Sequence, residues 1–525
     1  MDSASTSPPQ LEDDFEHDPP DDGGVQGAAR GAVQDPPSSS LGIGTWQYAE
    51  APEPPPKVPF VVPRDVVTRM LCSTVHLKGA FADHVLDNLV DPTHRAMAPN
   101  WNIDTPTLVR HAQQARQRRT QRDTWLLAVF AGLVFAEGIS VVLLATGRAS
   151  VALFVVLTVV AWLAAYATAF RIVWWHYSLI HRSSVAAIGI KGAEAEEPPP
   201  LDPEIEDALA SADSANAILF ASPSPFIGSG ELLDRWTVTV DVSSGSRRPD
   251  GTREEPERFT NSELHDALAA AIPRAIGPDP VVGNRLYVVG GHAIAVGGLF
   301  RSGPVPDDAE ALVRFRRPVP SVTPDVIKRF MDVPHQSARP YTFFELTAWD
   351  GQVVVTLFVR VLVNYPTLFV EMAVCALRPP QGRYGEVGTI RLGPGVHRLP
   401  IFRSVFPNTM RLLLGSPGRE YRMLRGKRSY RLALEDLELT LKERFDVNFA
   451  AGPSLREEIA RGDNPLHFGF VDEEMFYRML NQASMDCLRK WLVDRQIDVT
   501  DFDRQQIKIV EKRMTNAKDT YGIGA

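Results

Sequence analysis

Two apolar runs separated by five residues dominate the hydropathy pattern. The first, WLLAVFAGLVFAEGISVVLLA (Trp125–Ala145), has 21 residues and one charge, Glu137. The second, VALFVVLTVVAWLAAYATAFRIVWW (Val151–Trp175), has 25 residues and only Arg171 near its end. A bilayer core about 30 Å thick needs ~20 helical residues, so each run can span it. Helices of this length in a globular core carry a polar stripe, which these lack. The link Thr146–Ser150 is too short for anything but an antiparallel return. The pattern predicts a transmembrane hairpin over 124–178, with spans at 125–145 and 151–175.

Helical periodicity continues before the hairpin. DVVTRMLCSTVHL and AFADHVLDNLV show i, i+3/i+4 apolar spacing. IDTPTLVRHAQQARQRR opens with Asp104 or Thr105 as cap and Pro106 in its first turn, and is expected to run directly into the membrane. Residues 60–123 therefore form a helical juxtamembrane region. Beyond a Pro- and Glu-rich linker at 191–203, the chain to 525 reads as an α+β domain. RWTVTVDV alternates, as a strand buried on one face does. FTNSELHDALAAAI begins with a capping box from Thr260 to Glu263. Residues 341–377 read as a three-stranded antiparallel meander turning at Asp350-Gly351 and Asn364-Tyr365-Pro366. After less regular sequence, EEMFYRMLNQASMDCLRKWLVDR is an amphipathic helix with Met475, Phe476, Met479, Leu480, Ala483, Cys487, Leu488, Trp491 and Leu492 on its buried face. A last helix follows Thr500.

Small residues suggest how the spans meet. Ala128, Gly132 and Ala136 in the first, continued by Ser140, oppose Ala169, Ala165 and Ala161 in the second at equal depth, a small-xxx-small seam. Glu137 lies near the midplane, about 100° around the helix from Ala136, and is expected to face lipid. Two readings stay open: protonated or water-solvated Glu137 side chains meeting across a homo-oligomer, or a neutral carboxyl tolerated singly.

Charge gives the orientation. Arg110, Arg116, Arg118, Arg119 and Arg122 precede the first span, and Arg171, Arg182 and Lys191 border the second, against Arg148 alone in the turn. Positive residues stay inside, so both termini are expected in the cytoplasm of a cell (inner) membrane. Trp125, Trp174 and Trp175 cluster with Arg118, Arg119 and Arg122 at that interface. These arginines also suit anionic head groups, although the topology signal explains them equally well.

Composition modifies this picture in one place. The formal charge of −9 resides in residues 1–59, where eleven acids stand against two basic residues, beside eleven prolines. This segment has too little apolar surface to offset ordering entropy and is expected to be a disordered tail, with LGIGTWQYA its one apolar island. The rest is charge-neutral, so nucleic acid is not an expected partner. Forty-five of the 55 basic residues are arginine, a bias of high-GC genomes. Three widely spaced cysteines, Cys72, Cys375 and Cys487, form no disulfide framework and fit a reducing compartment.

No catalytic set can be assembled. SPFIGSGE (224–231) could form an anion-binding nest at Gly228-Ser229-Gly230, but it lacks the Lys-Ser/Thr of a P-loop and reads best as a structural turn. VVGGHAIAVGG (288–298) suggests hairpin or bulge geometry around His292. Cys72, His76, His84 and His94 match no zinc spacing, and His265-Asp266 is a lone pair on a helix. No metal and no cofactor is expected.

Four stretches resemble a family of two-span membrane proteins of high-GC bacteria for which no activity is established. They are MLCSTVHLKGAFADHVLDNLVDPTHRAMAPN, the hairpin, SPFIGSGE with its following strand, and WLVDRQIDVTDFDRQQIKI. The resemblance implies the same architecture over most of residues 60–525. In architecture alone, the hairpin also resembles two-span effector modules of bacterial conflict systems. The expected function is non-enzymatic: a hairpin anchoring a cytosolic α+β module that binds a protein or small ligand. The alternatives are a pore formed by oligomerising hairpins and an enzyme of unknown type.

Overall fold

A computed structural model describes residues 65–90, 94–189, 196–277, 280–384, 398–443, 447–460, 462 and 467–509. The acidic tail at 1–59, its LGIGTWQYA island and the first part of the 191–203 linker lie outside the described residues. The hairpin is built from α3 (Thr105–Ala145) and α4 (Val151–Ala187). Asp104 caps α3 through the Thr107 N–H at 3.1 Å, and Ser150 caps α4 through the Leu153 N–H at 3.2 Å. In their most apolar windows only 17% and 6% is buried, so these are not core helices. Both helices extend past the spans without a break, α3 by about 20 residues before Trp125 and α4 by 12 after Trp175.

These extensions enter a helical collar with α1 (Val66–Leu77), α2 (Gly79–Leu89) and α5 (Pro203–Asp213). Val67, Leu71, Val75, Val85, Leu108, Val109 and Ala112 form its core. The collar also explains the rotation of α3. The stripe Leu108, Ala112, Ala115 is fixed by collar packing, and 100° per residue carries it to Leu126, Leu133 and Ser140. The seam on α3 is therefore those residues rather than 128/132/136. Ala128 and Gly132 are exposed, a Cβ on Gly132 would meet nothing within 4 Å, and Ala136 is only half-buried. On α4 the small residues do face the partner: Ala165 and Ala169 are buried and Ala161 packs at the edge. Leucines on α3 thus fill the space left by alanines on α4.

Glu137 turns with the seam. It does not face lipid as expected, since its Oε2 accepts a hydrogen bond from Thr158 Oγ1 of the same hairpin at 3.1 Å. Its Oε1 is buried with no partner among the described residues. Because the two helices meet elsewhere, Gly132→Ile is expected to leave the thermal stability of the detergent-solubilised chain unchanged. Ala169→Leu overpacks a side chain with no exposure and should cost about 1–3 kcal/mol. Equal melting temperatures for the two variants would restore the 128/132/136 seam.

The α+β domain has one mixed sheet of six strands in the order β1-β3-β4-β5-β6-β2. The strands are β1 (Ala217–Phe220), β2 (Glu231–Asp241), β3 (Val281–Val289), β4 (Ala338–Ala348), β5 (Val353–Asn364) and β6 (Thr367–Leu377). Only β1 and β3 pair in parallel; β4, β5 and β6 form the expected meander. In β2, Trp236, Val238 and Val240 are buried between exposed neighbours, as the alternation predicts. One sheet face is covered by α6 (Asn261–Ile276) and α12 (His467–Asp494). Thr260 caps α6 through the Glu263 N–H. On α12 the buried stripe is Leu480, Ala483, Ser484, Leu488 and Leu492, while Met475 is exposed. Trp101 and Phe226 pack on the other face, where Arg285 lies between Trp101 and Phe343 at 3.8 and 3.7 Å from the ring centroids. A last helix covers residues 500–509, where one is expected after Thr500.

Of two further short helices, α8 (Pro324–Asp332) packs beside β3 and β4, and α7 (Ala309–Phe315) packs against a later helix over Ser416–Glu443. The segment that reads as irregular in sequence folds into α9 (Arg398–Leu414), which packs on the hairpin, and α10 (Ser416–Glu443). The expected turn around His292 is a 3-10 helix over 290–295. Gly290 is needed there because a Cβ would come within 2.4 Å of the Ala450 backbone nitrogen.

Candidate functional site

The chain leaves β1 through residues 221–230 and returns as β2. Phe226 anchors this loop by stacking on Phe358, with ring centroids 4.3 Å apart. Gly228 and Gly230 both have left-handed φ, 89° and 88°. Their N–H groups converge on one acceptor, Oε1 of Glu457, at 2.8 and 2.9 Å. The loop is therefore an anion-binding nest as well as a turn, and the anion is a carboxylate of the chain itself. Burial pushes the Glu457 carboxyl up, opposed by hydrogen bonds from the backbone of Gly230, Gly228 and Ser229. Ser229 is buried, and its Oγ has no partner among the described residues.

Glu457 is delivered by α11 (Leu455–Ile459), a single turn held from all sides. Asn100 Oδ1 accepts from Ser454 Oγ at 3.1 Å and from Arg456 N at 3.2 Å. Arg456 is fully buried, and its guanidinium donates to the carbonyls of Arg378 (2.9 Å), Gly351 (3.3 Å) and Gln352 (3.2 Å). Burial lowers its pKa to about 10. The turn thereby ties together the collar, the β4–β5 turn, the end of β6 and the nest.

Above the nest opens a pocket of about 410 Å³ lined by Ser222, Ser224, Phe226, Ile227, Glu231, Arg378 and Glu457, among others. Arg378 is fixed at its rim by Glu473, with Nε and Nη2 donating to Oε1 at 3.0 and 2.8 Å, and by Glu231 at 2.7 Å. These carboxylates raise its pKa, Glu473 most. Two carboxylates already bind this guanidinium and the Glu457 carboxyl lies in the same lining, so the pocket favours a ligand presenting hydrogen-bond donors or a positive group. A second pocket, about 400 Å³, lies behind α11 between Asp65, Asn102, Asp104, Asp213 and Asp350. Burial raises Asp213 to about 8, opposed by a hydrogen bond from Thr105.

The structure does not bring the residues examined for metal together. Cys72 is buried, and His76 Nε2 meets His111 Nδ1 at 2.9 Å. His84 binds Glu458 at 2.7 Å, and His94 lies 3.2 Å from the Asn448 carbonyl oxygen. His265 accepts from Val361 N and contacts Thr342 Oγ1 at 2.8 Å; burial lowers it to about 4, which makes it a neutral structural residue. Among the described residues no group of three or more His, Cys, Asp or Glu is placed to hold a metal.

The interfacial set divides. Trp125 and Trp175 are exposed on the hairpin surface and Trp174 is half-buried. Arg118 is buried, donating to Ser183 Oγ at 2.5 Å and Glu196 at 3.1 Å. Arg119 grips Asp83 with two bonds of 3.0 Å, and Arg122 binds Asp123 at 2.9 Å. These arginines are expected from topology alone, but Arg118 and Arg119 also bridge collar elements.

Fold and site together define a two-span membrane protein carrying a mixed-sheet α+β domain. A family model described as an AbeC-like domain matches residues 235–522, more than half of the chain, and the chain belongs to that AbeC-like family. No curated protein and no solved structure matches it.

Proposed function

We propose that this chain is a non-enzymatic binding module anchored in the cell membrane of a high-GC bacterium, with both termini in the cytoplasm. The pocket over the glycine nest receives a small polar ligand or a segment of a cytosolic protein. The observation that carries this reading is the placement of Glu457. It lines an open pocket and fills the nest, and its turn packs through Leu455 and Ile459 into the collar from which both spans emerge. A ligand that moves Glu457 therefore acts on the base of the hairpin. The orientation rests on the arginine excess beside Trp125 and Trp175. The pore reading depended on Glu137 residues meeting between chains, and the Thr158 hydrogen bond within one hairpin removes that support.

The test screens the purified full chain for ligand-induced thermal stabilisation, beside Ser224→Trp. Ser224 is exposed at the pocket mouth, so the change blocks access without burying anything new. Stabilisers rich in donors or positive charge should act on the wild type and lose their effect in the variant. Stabilisation that survives Ser224→Trp places the ligand elsewhere, and a screen without stabilisers overturns the binding reading. In the same preparation of cells, an impermeant thiol reagent should label a cysteine at Ala149 and not one at Ser211; the reverse overturns the orientation.

A further inference from the structure

We propose that α9 and the first half of α10 form a third membrane-embedded element, which binds anionic phospholipid in the leaflet next to Trp125 and Trp175. This rests on the hairpin crossing a bilayer and is independent of the pocket. Val405 and Leu413 of α9 pack with Leu126, Leu133, Ala165 and Ala169 of the spans. Tyr166 Oη donates to the Phe406 carbonyl at 3.2 Å. Tyr166 lies eight residues inward from Trp174, about 12 Å along the helix at 1.5 Å per residue. This is the depth of acyl chains, so α9 shares the hydrocarbon layer with the spans. Phe402 and Phe406 touch Phe170 and Tyr166 of the span on one side, yet they and Leu414 stay 46%, 54% and 47% exposed, apolar surface that lipid would cover.

The basic residues follow at the level of the head groups. Arg419 Nε lies 3.1 Å from Asp123, two residues before Trp125. From there arginines recur every third position, Arg422, Arg425, Arg428 and Arg431, with Lys427 among them. None of these five cations reaches a carboxylate among the described residues. From 421 to 433 every residue except Met423 is exposed. A bare helix of about three and a half turns containing Gly426 is marginal on its own in water. A lipid surface supplies what it lacks: phosphates for the cations and an interfacial layer for Tyr421, Leu424 and Tyr430. Arg403 and Arg411, exposed on α9, can reach the same phosphates along their apolar stems. A single cation near an anionic surface changes affinity roughly fivefold, so five make the preference large even when partly screened.

Native mass spectrometry of the detergent-solubilised full chain, titrated with phosphatidylglycerol or phosphatidylcholine, tests this directly. Wild type should retain phosphatidylglycerol preferentially, and the variant with Arg422, Arg425, Lys427, Arg428 and Arg431 changed to Gln should lose at least roughly tenfold of that preference. Those side chains are exposed, and an unchanged circular dichroism spectrum confirms that the variant is folded. Independently, a nitroxide at Phe406 in lipid nanodiscs, with the native cysteines replaced by Ala, should collide with oxygen and be shielded from an aqueous nickel complex. A nitroxide at Ser211 should show the opposite. Equal lipid retention by wild type and variant, equal binding of free glycerol phosphate, or nickel access at 406 matching that at 211 each overturns the proposal.

Discussion

Arg456→Met will lower the melting temperature of the purified chain by about 10 °C, the largest loss expected from any one substitution in the α+β domain. The side chain has no exposure, and its guanidinium serves the carbonyls of Arg378, Gly351 and Gln352. Methionine fills most of the volume but donates nothing. Three carbonyls lose their donor, Gly351 buried and Arg378 and Gln352 part-buried, at about 1–3 kcal/mol each with the buried one at the upper end. Relief from burying a charge offsets part of this, leaving a net cost of order 3–5 kcal/mol. Lysine keeps the charge with a smaller donor head and should fall between the two. A methionine variant that melts with the wild type would mean that α11 is held by its apolar residues, Leu455 and Ile459, alone.

Gly230→Ala comes next in size and acts on the nest itself. A Cβ here would stand 2.1 Å from the Ala376 carbonyl oxygen, which is sheet backbone and cannot rotate away. The residue also needs φ of +88°, costly for any side chain. Strand β2 must separate from β6, and Glu457 loses the Gly230 N–H as a backbone donor. The expected loss is about 2–4 kcal/mol. Gly251→Ala is the control, since Gly251 has φ of +83° but nothing within 4 Å of its Cβ position, and it should show only the conformational part. If both alanines lower the melting temperature equally, the close approach of β2 and β6 contributes nothing.

Features written locally in the chain were legible in its sequence. The spans, the Thr260 cap, the alternation of β2 and the meander each follow from neighbours a few residues apart. What failed depended on distant contacts. The seam on α3 could not be read from its small residues, because the rotation of that helix is fixed about 20 residues earlier by Leu108 and Ala112. The nest could be suspected from its glycines, but its occupant is 227 residues away in LREEI, which looks like any short capped helix. Arg378 and Arg456 were invisible for the same reason. The pair α9 and α10 escaped because neither has a clear apolar stripe: one is covered by the spans, and the other is bare over much of its length.

The unbroken passage of α3 and α4 into the collar sets a distance. About 19 residues of α3 stand between its start and Asp123, some 28 Å of rigid column at 1.5 Å per residue. A domain on such a pedestal cannot sink to the bilayer or drift away from it as one on a flexible tether can. Whatever occupies the pocket over Gly228 and Gly230 must reach it at that fixed height. Soluble molecules and the tall parts of neighbouring membrane proteins qualify, whereas molecules lying flat on the lipid do not.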